Sequence, residues 1–195
     1  MNAQSDKAAL RERAERRRAG ARAAHPYGGD TLSALFPPAL FPPAGAVVSG
    51  YYPFRSEIDP RPLMRRLAMA GRRLALPVTP AKGATEPLSF RLWSPDRPCA
   101  PGRYAIPEPE PGAEVVQPDL VLVPLLAFDR RGHRLGYGAG WFDRTLDALR
   151  ALKPVTAIGL AWAAQEVERV PTDPWDQPLD GIVTEREWIP VRKEF

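Results

Sequence analysis

A cation, a cluster of glycines and a carboxylate follow one another closely in the middle of this 195-residue chain. Arg134 precedes Gly136, Gly138 and Gly140, and Asp143 follows them. Glycines lack the Cβ that would block a close approach of the backbone to a ligand, and the amides at a helix start point at an anion. A cation beside an anion site and a carboxylate for its magnesium ion are what nucleotide chemistry requires. The spacing therefore indicates a phosphate site.

The elements around the glycines are those that would position such a site. Residues 120–123 form a short apolar run typical of a buried strand, and a polar turn follows at 129–132. After the glycines, Trp141, Leu146 and Leu149 share one face of a helix that is predicted to run to about Leu152. A Gly-x-Gly-x-Gly loop by itself is a weak signal, because tight turns use such glycines without any ligand.

Residues 119–144 as a whole resemble the signature of the 5-formyltetrahydrofolate cyclo-ligase family, also called methenyltetrahydrofolate synthetase. The shared pattern is a strand ending in Val-Pro, Ala-Phe-Asp, a basic turn, Arg-Leu-Gly, a glycine cluster, two aromatic residues and Asp-Arg. The match runs through most of the segment without a gap, and it is far more specific than the glycines alone.

The resemblance implies ATP- and Mg²⁺-dependent cyclisation of 5-formyltetrahydrofolate to 5,10-methenyltetrahydrofolate, with or without a polyglutamate tail on the substrate. It implies catalytic roles for Arg134 and Asp143, and folate contacts at Tyr52, Glu57 and Trp141. The magnesium ligands would be Asp143 and Asp180. The residues implied to bind ATP are Lys7, Arg11, Arg134, Leu135, Gly136, Tyr137, Gly138, Ala139, Gly140, Trp141 and Phe142.

A basic helix is predicted over residues 1–22, with Ser5 or Asp6 as its N-cap. Lys7 and Arg11 lie four residues apart, so they share a helix face, and family members carry this Lys-x-x-x-Arg pair against the nucleotide. We expect the run 16–18 to be a solvated helix face. A nucleic-acid role for this basic helix is an alternative, but it lacks interleaved aromatic residues or a known motif.

Two carboxylates have competing structural interpretations. Glu57 can accept hydrogen bonds from the amino and ring nitrogens of a pterin, but near the start of a helix predicted at 59–71 it could also serve only the helix dipole. Asp180 is expected to open the last strand, where an aspartate can simply belong to a turn. The family resemblance favours the site at both positions.

The chain departs from the family pattern at three places. Ala139 stands where bacterial members have glycine, Trp141 and Phe142 replace a pair of tyrosines, and Trp175 occupies the usual histidine position. An alternative function is therefore a family member that binds folate or nucleotide without turnover. Another α/β enzyme acting on a sugar phosphate or thioester is a further alternative.

Composition limits the remaining classes. With 44% hydrophobic and 26% charged residues, the chain resembles ordinary soluble proteins, and we expect one domain over 1–195. Two histidines exclude a multi-histidine metal site, and the lone Cys99 suggests a cytoplasmic protein without disulfides. The net charge of +4 favours anionic partners. We expect a monomer without membrane or nucleic-acid partners.

Strands and helices alternate along the sequence, which predicts an α/β fold: three α/β/α layers around a largely parallel sheet. The resemblance implies the NagB/RpiA/CoA-transferase-like version of that fold. Ligands of such sheets bind beyond the carboxyl ends of the strands. The regular part of the helix that follows Glu57 is predicted at 62–70, and the predicted strands are 46–52, 73–79, 88–93, 120–123, 155–160 and one that begins at Asp180.

Overall fold

The computed structural model describes residues 3–81 and 83–191, in which helices and strands alternate along most of the chain. The helices are α1 (Ala3–Ala24), α2 (Gly28–Leu35), α3 (Arg61–Met69) and α4 (Trp141–Leu152). The strands are β1 (Val47–Ser49), β2 (Arg73–Val78), β3 (Ser89–Trp93), β4 (Cys99–Pro101), β5 (Pro107–Pro109), β6 (Val115–Val116), β7 (Leu120–Pro124), β8 (Ala127–Phe128), β9 (Arg134–Leu135), β10 (Thr156–Leu160), β11 (Gly181–Val183) and β12 (Trp188–Pro190).

An eight-stranded sheet with the order β12-β11-β10-β7-β1-β2-β3-β6 crosses the molecule. The five neighbouring strands from β11 to β2 are parallel, and β12, β3 and β6 pair antiparallel at the two margins. Val48 of β1 lies between Leu120 of β7 and Leu74 of β2. The predicted α/β fold with a largely parallel sheet is confirmed.

Alternate residues of the parallel strands feed two separate cores, one on each face of the sheet. Leu120 and Leu122 of β7 join the core formed with α2 and α3, whereas Val121 and Val123 join the core formed with α4. Strand side chains point alternately to the two faces, so a strand covered on both faces must be apolar at every position. This explains why β7 has no polar residue, and it produces the three layers.

The direction of the chain reverses between β1 and β7. From β1 the chain crosses through α3 to β2 on one side, and from β7 it crosses through α4 to β10 on the other side. Neighbouring parallel strands whose connections leave in opposite directions open a crevice at their carboxyl ends, and ligands of α/β proteins bind there. The topology therefore predicts a ligand-binding site at the carboxyl ends of β1 and β7.

Two local features differ from the expectations. The helix predicted at 1–22 is present, but Ser5 and Asp6 are helical residues of α1 and not its N-cap. Strands β6 and β12 and the two-stranded ribbons β4-β5 and β8-β9 were not predicted. These short strands carry too few residues for a periodic pattern, and only their tertiary partners define them.

None of the helices in the described ranges combines the length and the apolar character needed to cross a membrane.

Candidate active site

A cleft of about 970 Å³ opens at the carboxyl ends of β1, β2 and β7. Tyr51 and Tyr52 follow β1 into it, Thr79 follows β2, and Pro124 ends β7. Residues of α1, of the loop after β9 and of the start of α4 complete its walls. The sequence-predicted residues that line it are Lys7, Arg11, Tyr52, Glu57, Arg134, Leu135, Gly136, Tyr137, Gly138, Ala139, Gly140, Trp141, Phe142 and Asp143.

The glycine loop, residues 136–140, turns directly into the N-terminus of α4. Gly138 has φ of 101°, and Gly140, the N-cap of α4, has φ of 66°. Arg11 Nε donates to the Gly136 carbonyl over 3.0 Å, which ties α1 to the loop. An exposed helix N-terminus presents unpaired amides and the positive end of the helix dipole, so this end of the cleft suits a phosphate group.

We expect alanine substitutions at two glycines of the glycine loop to differ in their effect on stability. Gly138→Ala forces a side chain into the left-handed region and brings its Cβ to 3.3 Å from Arg11 Nη2, so we expect a loss of about 1–2 kcal/mol in unfolding free energy. A methyl group added at Gly136 would meet no atom within 4 Å, so Gly136→Ala should fold as stably as the wild type. Thermal unfolding of the two variants decides this, and equal losses would contradict the assignment of the constraint to Gly138.

Arg134 and Asp143 form an ion pair in the wall of the cleft. Arg134 Nη2 donates to Asp143 Oδ1 over 2.6 Å, and the amide of Gln177 donates to the same oxygen over 3.0 Å. Arg134 also donates to the Gln177 carbonyl, and its side chain is only 5% exposed. Burial lowers the pKa of Arg134, while Asp143 acts in the opposite direction. A guanidinium stays charged in proteins, so the cleft has a fixed cation here.

Lys7 is held between two carboxylates that the sequence did not single out. Its Nζ lies 2.7 Å from Asp173 Oδ2 and 3.1 Å from Asp176 Oδ2. Burial lowers the pKa of Lys7, but the hydrogen bonds and charges of the two aspartates outweigh it and the pKa is raised. All three side chains line the cleft, so α1 and the 173–176 loop meet at the glycine-loop end.

Glu57 is buried in the segment that follows β1. Its Oε2 accepts from the Phe54 amide over 2.8 Å, and its Oε1 lies 3.7 Å from Arg18 Nη1. Burial raises the pKa of Glu57 to about 7, against the lowering effects of the Phe54 amide and the Arg18 charge. Arg18 was expected on a solvated face, and this expectation is wrong, because its side chain is 1% exposed.

The raised pKa of Glu57 predicts a pH-dependent contribution to stability. In the unfolded chain this carboxyl ionises near its ordinary value of 4.5, whereas in the folded protein it stays neutral until about pH 7. The folded state therefore holds the extra proton between these values, so stability is lost as pH rises through that window.

The matched variant is Glu57→Gln, which removes the titrating group at nearly constant shape. The unfolding free energy of the wild type minus that of the variant should fall by roughly 3 kcal/mol between about pH 4 and about pH 8. Denaturant unfolding at a series of pH values measures it. A difference that is constant or that rises with pH would rule out a neutral buried Glu57.

Comparison with known proteins identifies the family of this chain. The family model described as "5-formyltetrahydrofolate cyclo-ligase family" matches residues 4–185. The chain belongs to the 5-formyltetrahydrofolate cyclo-ligase family. It is therefore an enzyme of that family, as the signature at 119–144 predicted.

Two bacterial relatives named 5-formyltetrahydrofolate cyclo-ligase illustrate the similarity. The one from Escherichia coli K12 is 36% identical over 158 residues, which is 79% of this chain and 84% of the relative. The one from Haemophilus influenzae is 36% identical over 137 residues, or 68% of this chain and 72% of the relative.

Solved structures of 5,10-methenyltetrahydrofolate synthetases share the fold. The Aquifex aeolicus protein superimposes with a TM-score of 0.73 at 28% identity, covering 97% of this chain and 94% of that one. The Mycoplasma pneumoniae protein gives a TM-score of 0.69 at 21% identity, over 93% and 99% of the two chains, and shows the fold alone.

Asp180 does not join the other cyclo-ligase signature residues. It precedes β11, so it lies at the amino end of that strand, and it is absent from the described residues that line the cleft. Its Oδ2 accepts from the Ala157 amide over 2.8 Å and from Arg150 over 3.1 Å. The structure therefore does not bring Asp180 together with Asp143 in the cleft, which opens at the carboxyl ends of the strands.

The structure also places Trp141 and Trp175, two aromatic residues that depart from the cyclo-ligase pattern. Trp141 lines the cleft and packs partly against the core under α4. A ligand there would meet an aromatic ring face and no tyrosine hydroxyl. Trp175 lines the rim and is 67% exposed. Tyr137, which also lines the cleft, packs edge-on to Phe54, with ring centroids 5.8 Å apart. Aromatic faces therefore border the cleft from several loops.

Sequence reasoning missed Arg18, Asp173 and Asp176. A signal for Arg18 was present, since it lies eleven residues after Lys7 and seven after Arg11, spacings that place all three on one helix face. The two aspartates carried no local signal, because only the approach of α1 defines their role.

Proposed function

We propose that this cyclo-ligase catalyses the ATP- and Mg²⁺-dependent conversion of 5-formyltetrahydrofolate to 5,10-methenyltetrahydrofolate, with release of ADP and phosphate. The observation that supports this best is one cleft whose two ends differ in chemistry. The glycine-loop end has backbone amides and the cations Lys7, Arg11 and Arg134, and the other end has the buried Glu57. A phosphate chain suits the first end and a pterin with hydrogen-bond donors suits the second.

The nucleotide is assigned to the glycine-loop end. Its phosphates would lie against the loop 136–140 and the first turn of α4, with Arg11 and Lys7 supplying charge from α1. Lys7 is bound by Asp173 and Asp176 in this structure, so the triphosphate would replace carboxylates as its anionic partner. Exchanging one anion for another keeps the ammonium paired throughout.

The folate is assigned to the end formed after β1. Glu57 would accept from the amino and ring nitrogens of the pterin, and Tyr52 and Trp141 would contact the ring system. Tyr52 is held by edge-on packing against Trp93, with centroids 5.8 Å apart. A rigid aromatic wall and one buried carboxylate fix both the plane and the direction of a flat heterocycle.

A magnesium ion fits the carboxylates at the glycine-loop end. Hydrogen bonds from described residues to Asp143 reach only Oδ1, and those to Asp176 reach only Oδ2, so the second oxygen of each has no hydrogen bond from the described residues. Within the ranges 3–81 and 83–191, no group of three or more His, Cys, Asp or Glu side chains is arranged to hold a metal. This suits Mg²⁺, which takes one or two carboxylates and completes its shell with phosphates and water.

The reaction needs alignment rather than a protein nucleophile. The formyl oxygen attacks the γ-phosphorus of ATP and ADP leaves, so a poor leaving group becomes a phosphate ester. The neighbouring folate nitrogen then attacks the activated carbon, the C–O bond breaks, phosphate departs and the nitrogen loses its proton. Arg134 and the loop amides would stabilise charge on the transferring group, and bound Mg²⁺ would neutralise phosphate charge.

The test of this proposal is product formation from purified components. We expect the methenyltetrahydrofolate absorbance to rise when 5-formyltetrahydrofolate, ATP and magnesium are mixed with the protein, with one ADP formed per product. Omitting ATP should abolish the rise. Binding of both ligands without turnover would contradict the proposed reaction and support the alternative of a member that only binds.

A further inference from the structure

The buried Arg18 contacts four residues from three separate segments of the chain. Its Nε donates to Ser56 Oγ over 3.1 Å, its Nη1 to the Leu125 carbonyl over 3.4 Å, and its Nη2 to the Tyr137 hydroxyl. Its Nη1 also lies 3.7 Å from Glu57 Oε1, and its guanidinium carbon lies 5.4 Å from the centre of the Tyr137 ring. It does not line the cleft, so it reaches ligands only through its partners.

Two of those partners belong to different segments of the cleft wall. Glu57 belongs to the segment after β1, where the folate is assigned, and Tyr137 belongs to the glycine loop, where the nucleotide is assigned. Arg18 is thus a single buried cation behind the wall, shared by the two substrate sites.

The shape of the guanidinium makes this sharing consequential. Its donors are fixed in one plane, so a shift that improves the contact with Glu57 also moves the donor that reaches Tyr137. A ligand that engages Glu57 would hold Arg18 in place and so order the tyrosine of the nucleotide loop. If the first ligand has already ordered Tyr137, the second ligand does not have to bear the entropy cost of ordering it. The two ligands then bind cooperatively.

We infer that Arg18 is a positioning residue that couples the two substrate sites of the cleft, so that folate and nucleotide each bind more tightly when the other is present. This inference rests on the proposed function, because it presumes that both ligands bind in this cleft. Thermodynamic linkage requires the two ligands to enhance each other by the same factor.

The experiment measures the Kd of 5-formyltetrahydrofolate by titration calorimetry, with and without a non-hydrolysable ATP analogue and Mg²⁺. The wild-type ratio of the two Kd values should be at least about 5-fold. Tyr137→Phe removes the hydroxyl that Arg18 holds, and its ratio should approach one. Tyr104→Phe removes a hydroxyl from another tyrosine of the cleft that has no contact with Arg18, and it should keep the wild-type ratio.

A second variant changes Arg18 itself, so that the conclusion does not depend on Tyr137→Phe alone. Arg18→Lys keeps the buried charge but loses the planar fork, so its ratio should also approach one. In steady state, the KM for folate should depend on ATP concentration in the wild type but not in Tyr137→Phe.

The outcomes separate the inference from the proposed function. If the wild type binds both ligands with a ratio near one, or if Tyr137→Phe keeps the wild-type ratio, the coupling role of Arg18 is wrong and the proposed reaction stands. If the wild type binds neither ligand, both fail.

Discussion

Replacing Asp143 with alanine is expected to lower the rate of methenyltetrahydrofolate formation by about 10³-fold. The substitution removes a carboxylate that lines the cleft and also leaves the buried Arg134 without its 2.6 Å partner. In the proposed reaction both losses would act on the charge of the transferring phosphoryl group, and stabilising that charge is the main contribution a protein makes to such a reaction. Initial rates from the product absorbance, at saturating substrates and magnesium, measure the effect.

Two further variants test whether the effect of Asp143→Ala comes from the loss of a negative charge in the cleft. Asp143→Asn keeps the shape and one acceptor oxygen, and it should lose nearly as much activity because the negative charge is gone. Asp147→Ala, one turn later on α4, removes an exposed carboxylate that does not line the cleft, and its rate should stay within about threefold of the wild type. If folded Asp143→Ala retained a rate within about tenfold, Asp143 would have no part in catalysis.

Arg18→Met is expected to lower the unfolding free energy by about 3–5 kcal/mol at about pH 8. The methionine fills similar volume, but it leaves Glu57 as a buried carboxylate without its cation. It also leaves the Tyr137 hydroxyl and the Leu125 carbonyl without a donor that each has in the wild type. Equilibrium urea unfolding of the wild type and the variant measures the loss.

The pH dependence and a neighbouring arginine provide the controls for Arg18→Met. Burial raises the pKa of Glu57 to about 7, so at about pH 5 the carboxyl is neutral and the loss should shrink. Arg17→Met changes an exposed neighbour on the same helix and should alter stability by no more than about 0.5 kcal/mol. A loss from Arg18→Met that is equal at both pH values would show that Glu57 is not the group left unpaired.

Much of the fold and one half of the cleft could be predicted because the information is local. The apolar run of β7, the glycines and the start of α4 are consecutive, so the strand, loop and helix are specified within one segment. Every predicted residue from Arg134 to Asp143 lines the cleft. The alternation of helices and strands also predicted the parallel sheet, because only crossover helices can connect such strands.

Arg18 was predicted to be exposed because the charge of the run 16–18 was given more weight than the position of each residue on the helix. A run of three arginines is typical of a solvated helix face, and Arg16 and Arg17 are exposed. The helical period would have placed Arg18 with Leu10 and Ala14, which are buried. What the sequence could not supply is the partner, since Glu57 lies 39 residues away and only the tertiary fold brings it to 3.7 Å.

Asp180 was predicted to open the last strand, and it does, since it precedes Gly181, the first residue of β11. What the sequence left undecided is the direction of that strand in the sheet. Because β11 runs parallel to β10, its first residue lies at the amino edge, and Asp180 is absent from the described residues that line the cleft. Asp173 and Asp176 belong to an irregular loop, and their approach to Lys7 depends on how α1 packs.

The central claim is that the cleft transfers the γ-phosphoryl group of ATP to the formyl oxygen of the folate. The most direct measurement uses 5-formyltetrahydrofolate labelled with oxygen-18 in the formyl group, followed by mass analysis of the phosphate released during one turnover. We expect the label to appear in inorganic phosphate, because the C–O bond breaks when the ring closes. Unlabelled phosphate, with the label in water, would mean that the formyl oxygen was never phosphorylated and would contradict the mechanism.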